Sequence, residues 1–146
     1  MIESNINIWE SQSDFKCVTT NSVLKKDGSL VMGKGIALEA SLKYKNLPKE
    51  LGFLVQKYGN NPFIFFNYGI ISFPTKHHWK DNSDINLIER SAKIISAFAK
   101  IYDIKTISLT RPGCGNGHLK WFDVAPILEK YFDNRFIIHN TMEKFV

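Results

Sequence analysis

The sequence predicts an α/β fold, with helices packed on a sheet that is at least partly parallel. Short apolar, β-branched runs alternate with runs of helical period along the chain. Two glycine-rich stretches punctuate that alternation: Val31-Met32-Gly33-Lys34-Gly35-Ile36-Ala37-Leu38 and Pro112-Gly113-Cys114-Gly115-Asn116-Gly117. Each has the composition of a loop whose backbone N–H groups can approach an anion with no Cβ in the way. In such sheets ligands bind beyond the carboxyl ends of the strands, so one cleft can gather both loops. Two such loops in a small domain suggest a ligand with more than one phosphate.

Ile6-Asn7-Ile8-Trp9 alternates apolar and polar residues and reads as a first strand; the β-branched run Phe15 to Asn21 reads as a second. Lys25-Lys26-Asp27-Gly28 is turn chemistry. Apolar residues at Ile36, Ala37, Ala40, Leu42 and Tyr44 make a helix, and Pro48 suits the first turn of another that ends near Tyr58, before Gly59-Asn60. Phe63 to Phe66 and Gly69 to Phe73 are two strands joined through Asn67-Tyr68-Gly69. The second enters the polar, aromatic loop Pro74-Thr75-Lys76-His77-His78-Trp79. Asn82-Ser83-Asp84 offers caps for a helix from Ile85 to Tyr102, whose apolar positions Ile88, Ala92, Ile95, Phe98 and Ala99 recur at helical spacing. Thr106 to Leu109 is a strand feeding the second glycine loop; Trp121 to Phe132 is a final helix, and Arg135 to His139 a closing strand.

At 146 residues the chain reads as one domain, 1–146, with 44% hydrophobic and 23% charged residues, the balance of a soluble globule. No apolar run is long enough to span a membrane, and the N-terminus lacks a secretory signal. Cys17 and Cys114 are far apart in sequence and suggest no disulfide framework, so a cytoplasmic, reducing setting is the default. The net charge of +5 favours anionic partners, nucleic acid among them.

Gly28 to Gly35 nearly spells a nucleotide triphosphatase P-loop, but Gly35 stands where a Ser or Thr would hold magnesium. Cys114 and His118 offer at most half a metal site, and the adjacent His77-His78 would point to opposite sides if extended. No metal is therefore expected, and Cys114 reads as a small packing residue between glycines. Lys76-His77-His78-Trp79-Lys80 interleaves cations with aromatic rings, as a contact to single-stranded nucleic acid would; a surface loop with Trp79 covering the core edge fits equally.

Three blocks together, Val31 to Ala37, Phe73-Pro74-Thr75-Lys76-His77-His78-Trp79 and Pro112 to Trp121, resemble the macro domain family. The branch they resemble most holds the terminal ADP-ribose glycohydrolases and the antitoxin macro domains that reverse ADP-ribosylation of DNA. The resemblance implies a three-layer α/β/α macro domain sandwich with a mixed, largely parallel central sheet. It implies ADP-ribose as ligand, with no cofactor. Gly33, Lys34, Gly35 and Ile36 would then lie along the distal ribose and pyrophosphate, and Pro112, Gly113, Cys114, Gly115, Asn116 and Gly117 would wrap the phosphates from the other side. Asn21 falls near the distal ribose. Asn7, with Ile8 beside it, stands where many members carry an aspartate that accepts a hydrogen bond from adenine.

In this branch the lysine of the motif matching Thr75-Lys76 is catalytic. Reaching C1″ of the distal ribose, it would attack the ring-opened aldehyde as a Schiff-base amine, or else stabilise charge as the modified group departs. Members that clear glutamate-linked ADP-ribose have an aspartate where this chain has Gly117, so the Gly-Cys-Gly-Asn-Gly string favours DNA bases as the modified acceptor. Lys25 to Ser29 are an insertion expected at the rim of the site. The resulting expectation is a monomeric hydrolase that releases ADP-ribose from a macromolecule, most simply single-stranded DNA, with no membrane partner. Its rivals are a non-enzymatic binder of ADP-ribose or another NAD-derived nucleotide, a phosphatase acting on ADP-ribose 1″-phosphate, and a simple nucleic-acid-binding module.

Overall fold

The computed structural model describes residues 1–140. Six strands make one sheet: β1 (Ile2–Ser4), β2 (Phe15–Thr20), β3 (Ile64–Phe65), β4 (Ile70–Pro74), β5 (Ile107–Thr110) and β6 (Phe136–His139). Their order is β1-β6-β5-β2-β4-β3; among the described residues only the β3–β4 pair of this sheet is antiparallel. The four helices are α1 (Gly35–Lys43), α2 (Leu47–Tyr58), α3 (Ile85–Ile101) and α4 (Trp121–Glu129). The macro domain reading of residues 1–146 includes a tail, 141–146, outside the described residues.

Strand periodicity divides the core in two. Phe15 and Cys17 of β2, Ile71 and Phe73 of β4, and Ile107 and Leu109 of β5 face α3 and α4, where they meet Ile88, Ala92, Ile95, Val124 and Leu128. Val18 and Ile70 face the other way, onto Ile36, Ala40, Leu47, Leu51 and Val55 of α1 and α2. All five residues of β4 are buried, as expected for a strand covered on both faces. The result is the three-layer α/β/α sandwich with a mixed, mostly parallel sheet.

Polar residues on the buried stripe of α3 are satisfied. Ser91 and Ser96 donate to the carbonyls of Pro74 and Tyr131, each at 2.8 Å. Asp84 caps α3 by accepting the N–H groups of Asn86 and Leu87. Beneath β5 and β6, His139 Nδ1 lies 3.0 Å from the Ile6 carbonyl and its Nε2 lies 2.8 Å from Ser108 Oγ. These partners assign the proton to Nδ1. Ser108 then donates to His139 and accepts from Ser11, 2.9 Å away.

Burial lowers the His139 pKa; the hydrogen bond to the Ile6 carbonyl pulls it back by less, and the charge of Lys16 adds a smaller lowering. The folded state therefore binds this proton less readily than the unfolded chain. Its contribution to stability is complete above the unfolded value of about 6.5 and is lost as the pH falls toward the lowered folded value. The urea midpoint should drop between pH 7 and pH 5, and His139→Gln should show a shallower drop.

Three expectations are corrected. Ile6–Trp9 is not a strand: Asn7 Oδ1 accepts the Trp9 N–H at 2.9 Å and starts a 3₁₀ turn over Ile8–Glu10. Asn side chains compete in this way for backbone donors, and the first strand lies earlier, at Ile2–Ser4. The insertion at Lys25 to Ser29 does not form the rim. It is a tight turn, closed by Lys25 N–H to the Ser29 carbonyl at 2.7 Å, packed on α2. A Cβ on Gly52 of α2 would sit 1.8 Å from the Gly28 carbonyl oxygen, so a glycine is what lets this turn approach. The last helix also stops at Glu129, short of Phe132.

Candidate functional site

The carboxyl ends of β2, β4 and β5 open into a cavity of about 340 Å³, bounded by the first glycine loop, the Thr75-Lys76 segment and the second glycine loop. Of the residues singled out from sequence, Asn21, Gly33, Lys34, Gly35, Ile36, Thr75, Lys76, Gly113, Gly115, Asn116 and Gly117 line it. Asn7, Ile8, Pro112 and Cys114 are not in its lining. Asn7 is spent on its cap, Ile8 and Pro112 are buried, and Cys114 packs against the α3/α4 core with its Sγ 3.5 Å from the Pro112 carbonyl.

The segment after β4 is pinned from several sides. Thr75 N–H donates to the Thr20 carbonyl at 3.0 Å, and Asp84 N–H donates to the Thr75 carbonyl at 2.8 Å. Asn60 Nδ2 holds the Lys76 carbonyl at 3.0 Å, and the Ser22 hydroxyl holds that of His77 at 2.6 Å. A backbone so fixed sends the Lys76 side chain across the cavity, where Nζ donates to the Asn116 carbonyl at 3.0 Å. One amine thus bridges the loop after β4 to the second glycine loop. Burial lowers its pKa, the neighbouring Lys34 lowers it further, and Asp81 opposes both.

The glycines divide by what surrounds them. A Cβ on Gly117 would lie 2.0 Å from Ser83 Oγ and 2.5 Å from the Gly113 carbonyl oxygen, so this position excludes any side chain unless the loop moves. Gly35 opens α1 with φ +55°, in the left-handed region that disfavours a Cβ. Around Gly33 and Gly115 no protein atom lies within 4 Å of an added Cβ. At those two positions the open space belongs to the cavity. Asn21 braces the first loop from below: its Nδ2 donates to the Val31 carbonyl at 3.0 Å, and its Oδ1 accepts from Val23 N–H at 2.9 Å.

Sequence reasoning passed over Ser83, Thr110 and Arg111, which also line the cavity. Ser83 reads as one of several possible caps, yet it is buried and its Oγ has no hydrogen-bond partner among the described residues. Arg111 stacks on Trp121, 5.0 Å from the ring centroid, and reaches Glu3 at 3.7 Å, while its buried Nε is unpaired. Its place directly before Pro112 was the available signal, since the end of a central strand is where such sheets put ligand contacts. With Lys34 and Lys76, it gives the cavity a cationic lining suited to a dianion.

No protein-family model matches the chain. Its structure is similar to that of the macrodomain of Mycobacterium tuberculosis DarG, with TM-score 0.83 and 24% identity over 97% of each chain. It is also similar to Thermosipho africanus DarTG in complex with ADP-ribose, with TM-score 0.78 and 25% identity over 96% of this chain and 41% of that one. Among curated proteins, 59 residues are 41% identical to the DNA ADP-ribosyl transferase-DNA ADP-ribosyl glycohydrolase fusion protein of Thermosipho africanus, covering 40% of this chain. The matches span 15% and 30% of the lengths of the two curated relatives found. The fold is that of a macrodomain.

Proposed function

We propose that this macrodomain binds ADP-ribose between its two glycine loops and hydrolyses it from ADP-ribosylated DNA. The observation that carries the reading is the position of Lys76: a partly buried side chain whose amine lies 3.0 Å from the Asn116 carbonyl, on the wall of the cavity that both glycine loops line. The names of its relatives, a DNA ADP-ribosyl glycohydrolase among them, point the same way. Gly33 and Gly115 line the cavity with no neighbouring atom within 4 Å of an added Cβ, so a diphosphate could approach their backbone, and Lys34 and Arg111 would balance its charge.

In this reading Lys76 acts as a free amine, and burial with the neighbouring Lys34 charge makes its proton easier to lose than that of an ordinary lysine. Nζ bonds to C1″ of the distal ribose as the bond from C1″ to the DNA base breaks and the base takes up a proton. Opening of the ribose ring gives an imine; water adds at C1″, the amine leaves, and ADP-ribose is released. The pH dependence follows. Turnover should rise with pH through the lowered Lys76 pKa and level off above it, because only the neutral amine attacks. Lys34→Gln removes a repelling charge, raises that pKa and should move the rising limb to higher pH. A rate that falls over the same range would instead assign Lys76 an electrostatic role.

The test is a substrate panel of ADP-ribosyl-thymidine DNA, glutamyl-ADP-ribosylated protein and ADP-ribose 1″-phosphate. ADP-ribose released from the DNA is the expected result. Phosphate released from the third substrate would identify a phosphatase, and tight ADP-ribose binding with no product from any of them would identify a binder.

A further inference from the structure

The function above leaves one part of the Lys76 loop unused. Trp79 lines the cavity wall three residues beyond Lys76 and is 47% exposed, unlike the side chains that close the core. Lys80 Nζ lies 5.3 Å from the Trp79 ring centroid and the His78 ring lies 5.2 Å from it, tilted 35°. Trp79 is therefore no cover for the core edge. It is a planar surface at the cavity, about half exposed, with cationic and aromatic neighbours.

We infer that Trp79 is a stacking platform for a base next to the modified nucleotide, and that Lys80 contacts the phosphate between them. The inference rests on the reading that Lys76 reacts at C1″, because that reading puts the acceptor on the same side of the cleft as residues 77–80. An indole takes any base by its face, and a lysine takes the phosphate as a point charge, so the surface recognises single strands without regard to sequence. In a duplex the flanking bases are stacked on each other and out of reach.

The test compares parent, Trp79→Ala and Trp79→Phe on two substrates: ADP-ribosyl-thymidine as the free nucleoside, and the same nucleoside within a single-stranded oligonucleotide. The ratio of kcat/KM for oligonucleotide over nucleoside should fall about ten-fold in Trp79→Ala, as expected for losing one stacked base, and recover most of its value in Trp79→Phe. Annealing the complementary strand should erase the difference between parent and Trp79→Ala. Lys80→Ala should reduce the slope of log affinity against log salt by about 0.7, the effect of one phosphate contact on a single strand. An equal loss on both substrates, or none on either, overturns the inference. If the parent cleaves neither substrate, the hydrolase reading fails by itself. Titration of the modified oligonucleotide then decides: about ten-fold weaker binding by Trp79→Ala supports the platform, and equal binding overturns it.

Discussion

Lys76→Ala should abolish release of ADP-ribose from ADP-ribosylated single-stranded DNA, lowering kcat about a thousand-fold or more, while ADP-ribose affinity stays within a few-fold. The split between turnover and binding follows from geometry. The diphosphate is to be held by main-chain N–H groups and by Lys34 and Arg111, none of which depends on the Lys76 amine. That amine acts only as the bond at C1″ breaks, so its loss falls on the transition state rather than on the bound ground state. Removing it also breaks the contact to the Asn116 carbonyl. Lys76→Arg separates the two effects: it can restore a hydrogen bond to Asn116 but supplies no neutral amine, and turnover should stay lost. Single-turnover assays with calorimetric titration of ADP-ribose measure both quantities.

The second large effect contrasts two glycines. Gly117→Ala should destabilise the fold by about 1–3 kcal/mol, because its methyl meets Ser83 Oγ and the Gly113 carbonyl. Gly33→Ala should leave stability within about 0.5 kcal/mol, as its methyl meets no protein atom. The affinities should reverse that order of severity. Gly33→Ala should weaken ADP-ribose binding about ten-fold or more, since the methyl occupies the space assigned to the diphosphate. Thermal denaturation of each variant, with and without ADP-ribose, gives both readings; Gly33→Ala should lose most of the ligand-induced rise in Tm. The same crowding bears on substrate choice. With Gly117 pressed against Ser83 and Gly113, this loop has no room for the aspartate expected in glycohydrolases that act on glutamate-linked ADP-ribose.

Much of this was legible in the sequence because the signals were local. The α3 stripe from Ile88 to Ala99, the glycines and the Thr75-Lys76 segment each declare themselves locally in the sequence. The failures have two causes, one local and one long-range. Ile6–Trp9 alternates like a strand, but one asparagine side chain diverts the backbone into a turn. Lys25–Ser29 looks like an addition to the rim, but its place against α2 depends on Gly52, more than twenty residues away. The roles of Ser83 and Arg111 come from crossing partners: Gly117 on the far loop, and Trp121 and Glu3 on separate elements. No short window along the chain contains Ser83 with Gly117, or Arg111 with Glu3. Fold class needs only periodicity, whereas a site needs contacts between distant residues.

The most direct test is a crystal structure of the chain with ADP-ribose bound. The account predicts the diphosphate between Gly33–Ile36 and Gly113–Gly117, with C1″ of the distal ribose about 3–3.5 Å from Lys76 Nζ, within reach of attack. A ligand bound with C1″ turned away from Lys76, or seated outside the two loops, would contradict it.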